Sequence, residues 1–134
     1  MSKTNKVDNF EAFMHPIVHN EIEIEISDRF KNKDGEIEKV RIKGLSTEEV
    51  QKIVNKSNRL NESDTQLTNR LIVACMVYPN LREKTLCDYY KVYEPEEVLT
   101  KIFDRVDEYT KLSLEVNKLL GIKTDKQLRD EAKN

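Results

Sequence analysis

The chain has no tryptophan and only three glycines and three prolines in 134 residues, too few chain breakers for a loop-rich or low-complexity protein. A long apolar run is missing too. The longest, Leu71 to Tyr78, is far short of the roughly 20 residues that a membrane-spanning helix needs. No apolar stretch follows the opening Met-Ser-Lys-Thr-Asn-Lys, so no signal peptide is expected and the protein should stay in the cytoplasm. The two cysteines, Cys75 and Cys87, cannot build a disulfide framework, and Cys75 inside an apolar run reads as a small hydrophobe. A zinc site is not expected either, because no histidine lies near that pair, while Pro16 biases His15 away from a helical stack on His19. Charge of one sign is absent as well: 36% of residues are charged, yet the net is -2 with no run of five like charges. That excludes the basic patch on which a nucleic-acid binder depends. There is no glycine-rich phosphate loop, no Gly-x-Ser-x-Gly and no His-Glu-x-x-His, and neighbouring carboxylates are unavoidable among so many glutamates. No enzyme and no cofactor is expected.

What the chain does have is a strong pattern. From Leu67 to Leu81 the second half is apolar on nearly every side, which predicts a central, enclosed helix capped by Ser63 or Asp64 and stopped by Pro79. Ile22, Ile24 and Ile26 alternate with Glu21, Glu23 and Glu25, and Val40 and Ile42 alternate with Lys39, Arg41 and Lys43, as in two half-buried strands. A two-residue turn at Asp34-Gly35 would set isoleucines opposite charges. The loop must therefore be odd in length or bulged, with Gly35 left-handed, and the glutamates then meet the Lys/Arg set across the strands.

Ser46-Thr47-Glu48-Glu49 reads as a capping box, opening a helix to about Ser57 with a stripe of Val50, Ile53 and Val54. The polar stretch from Asn55 to Asp64 then reads as a loop anchored by Leu60. A short helix is expected over Arg82 to Tyr90, with Leu86, Tyr89 and Tyr90 on one side. Pro95 suits a first helical turn, and Val98, Leu99, Ile102, Phe103 and Val106 follow at helical spacing. Tyr109, Leu112, Val116 and Leu119 form a last stripe that ends at Gly121 as a C-cap. Near the start, Phe10, Phe13 and Met14 form an apolar cluster that could dock on a partner or a second subunit; tucking over the chain's own core is the expectation, since loose aromatic surface is costly.

The expected fold class is α+β, mainly α-helical, with an N-terminal β-hairpin packed on a helical bundle. Residues 1–20 form a partly disordered arm, residues 21–122 a single domain with the hairpin at 21–43 and helices over 46–121, and residues 123–134 a charged tail. Composition is most unusual at Tyr89-Tyr90-Lys91-Val92-Tyr93, which holds three of the five tyrosines. Tyrosine offers a large amphipathic surface, so the cluster is a candidate partner-binding patch. A competing reading, slightly favoured, has two of the three completing the core and one exposed.

The run "VACMVYPNLREKTLCDYYKV", preceded by "SDRFKNKDGEIEKVRIKGLSTEEVQKI" and followed by "PEEVLTKIFDRVDEYTKLSLEVNKLLGI", resembles the XkdN-like tail assembly chaperones of contractile-tailed phages and prophages. The shared pattern is a basic-aromatic "RFK" step into an Asp-Gly turn, a "YPNL" helix stop, a short helix ending in an aromatic, an "EELL"-type helix, and a last helix closing near a glycine. It spans about residues 20 to 122 and holds no catalytic motif. Where the family has a glycine after the short helix, this chain has Lys91-Val92-Tyr93. The resemblance implies a protein of the bacterial host cytoplasm that binds the tape measure protein and keeps it soluble while the tail tube assembles. The tail tube protein and self-association are secondary expectations. With the central helix enclosed and the hairpin's outer face charged, the recognition surface falls on residues 82–119, with Tyr89, Tyr90, Tyr93 and Tyr109 as candidate contacts. A structural subunit of a phage tail or baseplate is the alternative.

Overall fold

A computed structural model describes residues 9–122, so the outer part of the expected arm and the charged tail lie outside the described residues. The element order is a 3-10 turn (Glu11–Phe13), β1 (Glu21–Ile24), β2 (Val40–Lys43), α1 (Thr47–Arg59), α2 (Asp64–Cys75), β3 (Met76–Tyr78), α3 (Lys84–Tyr90), α4 (Pro95–Ile102) and α5 (Val106–Leu120). The fold is α+β and mainly helical: one antiparallel sheet in the order β1-β2-β3, with five α-helices.

The hairpin has the parity that alternation demands. Ile22 pairs with Ile42 and Ile24 with Val40, while Glu21 faces Lys43 and Glu23 faces Arg41. The turn is an odd loop: the Gly35 amide donates to the Asn32 carbonyl, and the Asn32 amide donates to the Glu36 carbonyl. Gly35 sits at φ 78°, with nothing near the position a Cβ would take. The cost of a side chain there is therefore one of backbone alone. Gly35→Val should destabilise the protein by about 1–2 kcal/mol, the usual cost of the left-handed region, and more if the β-branch adds strain. An unchanged thermal midpoint would show that the loop relaxes freely.

The central stretch departs from the expectation. The helix ends at Cys75, and Met76–Tyr78 leaves it as a third strand, pairing Met76 with Ile42 and Tyr78 with Arg41. Two physical causes act together. The residue before a proline is pushed to extended backbone, so Pro79 acts further upstream than a simple helix stop, and the outer edge of β2 offers unpaired amides and carbonyls to whatever extended segment arrives. Leu71, Ile72, Val73 and Cys75 are buried, but Ala74 and Tyr78 are exposed, so the run is not enclosed all round.

Three boundaries also move. Ser46 and Glu49 form the capping box as expected, but α1 continues to Arg59 and buries Ser57, and Leu60 is exposed rather than an anchor. Ser63 caps α2 through a second capping box with Gln66. Phe103 ends α4, and Val106 opens α5 in solvent instead of continuing the earlier stripe. The arm residues Phe10, Phe13 and Met14 are exposed, so they do not tuck over the core.

The core joins the sheet to the helices: Ile26, Val40 and Ile42 meet Ile72, Val73 and Cys75 of α2, Val98 and Leu99 of α4, and Leu112 and Val116 of α5. Across it runs one polar pin. Arg29 Nε donates to Glu108 Oε2 at 2.7 Å and its Nη2 to Oε1 at 2.7 Å and to the Ile102 carbonyl at 2.6 Å. The guanidinium lies 4.4 Å from the Phe30 ring centre, and Phe30 meets Phe103 edge-on at 5.5 Å. The basic-aromatic step thus has a structural task, fastening the hairpin to the α4–α5 corner.

Candidate partner-binding face

The short helix α3 is held by its ends. Its C-terminus closes in a Schellman arrangement, with the Lys91 amide donating to the Asp88 carbonyl and the Val92 amide to the Cys87 carbonyl. That geometry requires a left-handed residue, and Lys91 supplies it at φ 57° where a glycine would carry no Cβ penalty. Lys91→Gly should accordingly stabilise the protein by about 1 kcal/mol, the Cβ penalty of that region, read as a raised denaturant midpoint. Val92, the next residue, turns inward onto the core, and Tyr93 is thrown outward.

The tyrosines divide in a way that reverses the core-completing expectation. Tyr89 is 76% exposed and Tyr93 is 91% exposed, while of the three in that segment Tyr90 packs against the core. Tyr89 and Tyr90 meet edge-on with ring centres 4.9 Å apart, so the inner ring braces the outer one. Tyr109 has a different task. Its hydroxyl donates to Asn69 Oδ1, tying α5 to α2, and burial pushes its phenol up from the ordinary value. The structure thus brings Tyr89 and Tyr90 together, leaves Tyr89 and Tyr93 free to touch a partner, and commits Tyr109 to the protein's own packing.

A groove of about 580 Å³ between α1, α2 and α4 is lined by Lys56, Glu62, Arg70, Glu94, Glu96 and Glu97 among others. Arg70 forks onto Glu62 at 2.6 and 2.8 Å, and that bond is the main cause holding the Glu62 carboxyl below its ordinary value. Nothing there is arranged as a nucleophile with a base. Burial pushes the Cys75 thiol up to about 12, so it stays protonated, and neither cysteine is in a disulfide. Among the described residues no three His, Cys, Asp or Glu are placed to hold a metal ion, and no helix is long and apolar enough to cross a membrane.

Sequence reasoning missed the Arg29–Glu108 pair, whose partners lie 79 positions apart with no local pattern linking them. It also missed the exposure of Tyr89, which sits at core spacing beside Leu86.

Comparison with known proteins fits this architecture. The chain is 29% identical to the protein YqbN of Bacillus subtilis (strain 168) over 145 aligned positions, covering 98% of this chain and 97% of that one. It is 28% identical to the phage-like element PBSX protein XkdN of the same organism over 125 positions, covering 85% and 84%. The crystal structure of the protein YqbN superposes with a TM-score of 0.77 at 27% identity, over 88% of this chain and all of that one. The family model of the phage XkdN-like tail assembly chaperone protein matches residues 10–133. The chain belongs to the XkdN-like phage tail assembly chaperone family.

Proposed function

We propose that this chaperone binds the tape measure protein in the cytoplasm of the bacterial host and keeps it soluble while the tail tube assembles around it, in a contractile-tailed phage or prophage. One observation carries the reading beyond family membership: two large amphipathic side chains, Tyr89 and Tyr93, stand in solvent at the end of α3, and Tyr89 is braced edge-on by Tyr90. Aromatic anchors of this kind dominate protein–protein recognition, and an amphipathic helix presents matching apolar positions at i, i+3 or i+4, and i+7. A tape measure segment, being long, helical and apolar on one face, fits that requirement. The hairpin's outer face does not. Its glutamates and Lys/Arg residues are paired across the strands, with Arg41 3.5 Å from Glu21.

Residues 21–122 would form the binding domain, and the role asks for no catalysis. The test is co-expression with the tape measure protein of the same phage or prophage. Soluble yield of that protein should rise several-fold with the parent chaperone present; no rise, with both proteins well expressed, would contradict the proposal.

A further inference from the structure

The arm leading into the sheet carries five large apolar side chains that the chain's own body does not cover. Phe10, Phe13, Met14, Ile17 and Val18 are each 65–87% exposed. Between Asn9 and Asn20 the only acidic side chain is Glu11 and there is no Lys or Arg, so nothing charged offsets this surface beyond one carboxylate. The segment meets the body at His19, which is half-buried with its ring against Gly44. Val18 borders a pocket there with Gly44, Leu45 and Val77, yet three quarters of it stays exposed.

The same chain carries an uncovered apolar cleft. Phe30, Val40, Tyr78, Pro79, Ile102 and Phe103 wall a space of about 120 Å³, with Glu38 and Lys39 as its charged members. Its size suits one aromatic ring, since an apolar cavity of about 150 Å³ accepts benzene. Two other surfaces are poor hosts for such an arm. The acidic groove would bury Glu94, Glu96 and Glu97 against apolar groups, and β1 is lined by Glu21 and Glu23, which would repel their own copies edge to edge.

We propose that Phe10–Val18 of one copy docks on a second copy, with Phe13 seated in the Phe30–Phe103 cleft, and that the exchange is reciprocal about a twofold axis. One chain supplies both halves of the contact, as a self-complementary twofold interface requires. The area also suffices. At roughly 150 Å² for each large apolar side chain, one arm at these exposures presents about 500 Å², and two exchanged arms with the surfaces they cover exceed the roughly 1,200 Å² of a stable interface. The charges do not oppose it: the cleft's Glu38 and Lys39 cancel, and the arm brings one glutamate. This inference stands apart from the tape measure proposal, because it uses neither Tyr89 nor Tyr93.

Light scattering over a concentration series, joined to photo-cross-linking, tests it. The parent should rise toward twice its 15.8 kDa mass with concentration, and Phe10→Ser plus Phe13→Ser should remain monomeric, matching the parent's melting temperature at dilutions where both are monomers, because both side chains lie outside the core. A benzophenone amino acid placed at position 13, in protein mixed with an isotopically heavy parent, should cross-link to heavy peptides containing Val40 or Tyr78. A parent that stays monomeric throughout, an arm variant that still dimerises, or cross-links confined to the arm's own chain or to surfaces away from the cleft would each overturn the proposal.

Discussion

Arg29→Ala should cost the fold about 2–3 kcal/mol, a large share of the roughly 5–15 kcal/mol that stabilises a typical domain. The reason is what the substitution leaves behind. Glu108 is 2% exposed, and its two carboxylate oxygens take both of Arg29's forked bonds. Removing one member of a buried pair strands the other charge, which costs about 3–5 kcal/mol when both are enclosed. Here the arginine side chain is 45% exposed, so water can reach the vacated place and the lower figure applies. Lysine should not rescue it, since a single ammonium cannot fork onto both oxygens and the Ile102 carbonyl. Adding Glu108→Gln to Arg29→Ala should restore part of the loss, because no buried charge is then left alone.

The same pair sets an acid dependence. Arg29's hydrogen bond is the main cause holding the Glu108 carboxyl below its ordinary value, against the opposing effect of burial. A group whose folded pKa is depressed contributes stability above its unfolded pKa, about 4.3 for glutamate, and loses it as pH falls through the folded value. Denaturant midpoints of the parent and Glu108→Gln should therefore differ steadily from neutral pH down to about 4.3 and converge below it. A difference that persists unchanged into strong acid would mean that the pair does not titrate with folding.

Leu112→Ala should have an effect as large or larger, about 3–5 kcal/mol, because Leu112 is fully enclosed on α5 within the core that α2, α4 and the sheet complete. Leu71→Ala should fall nearer 2 kcal/mol, the lower end for a buried leucine, since Leu71 is buried at the core's margin rather than inside it. The order of the two costs is the informative result. Equal losses, or a larger one at Leu71, would place the centre of the core on the exposed flank of α2.

How much of this was legible follows from the range over which each feature is decided. The parity of the hairpin pairing was legible because alternation has a period of two, and Gly35 and Gly121 were legible because left-handed positions favour one residue type. The Ser46 capping box lies within four residues and was read directly, while at α2 the sequence left Ser63 and Asp64 as alternatives and the box with Gln66 went unread. The third strand could not be read. Met76–Tyr78 is a short apolar run that periodicity alone does not assign, and its partner is the edge of β2, set far upstream. Local spacing also failed at Tyr89, where a helical position beside Leu86 turns out to face solvent, and at Val106, where the helix had already ended at Ile102.

The candidate face was half legible. Tyrosine enrichment marked the segment, but which rings face out depends on the Schellman turn at Lys91, which buries Val92 and exposes Tyr93. Tyr109 shows the converse. Its place on the last helical stripe gave no sign that its hydroxyl would bond to Asn69, 40 positions earlier.

The most direct test of the account is a binding titration with a helical segment of the cognate tape measure protein, comparing the parent with two folded variants. Tyr89→Ser plus Tyr93→Ser should weaken binding at least tenfold, about 1.4 kcal/mol, a modest figure for the loss of two aromatic anchors. Glu21→Lys plus Glu23→Lys plus Glu25→Lys, on the hairpin's outer face, should bind as the parent does. If instead the tyrosine variant binds normally and the charge-reversed hairpin loses affinity, recognition lies on the sheet, and the assignment of function to the α3 face is contradicted.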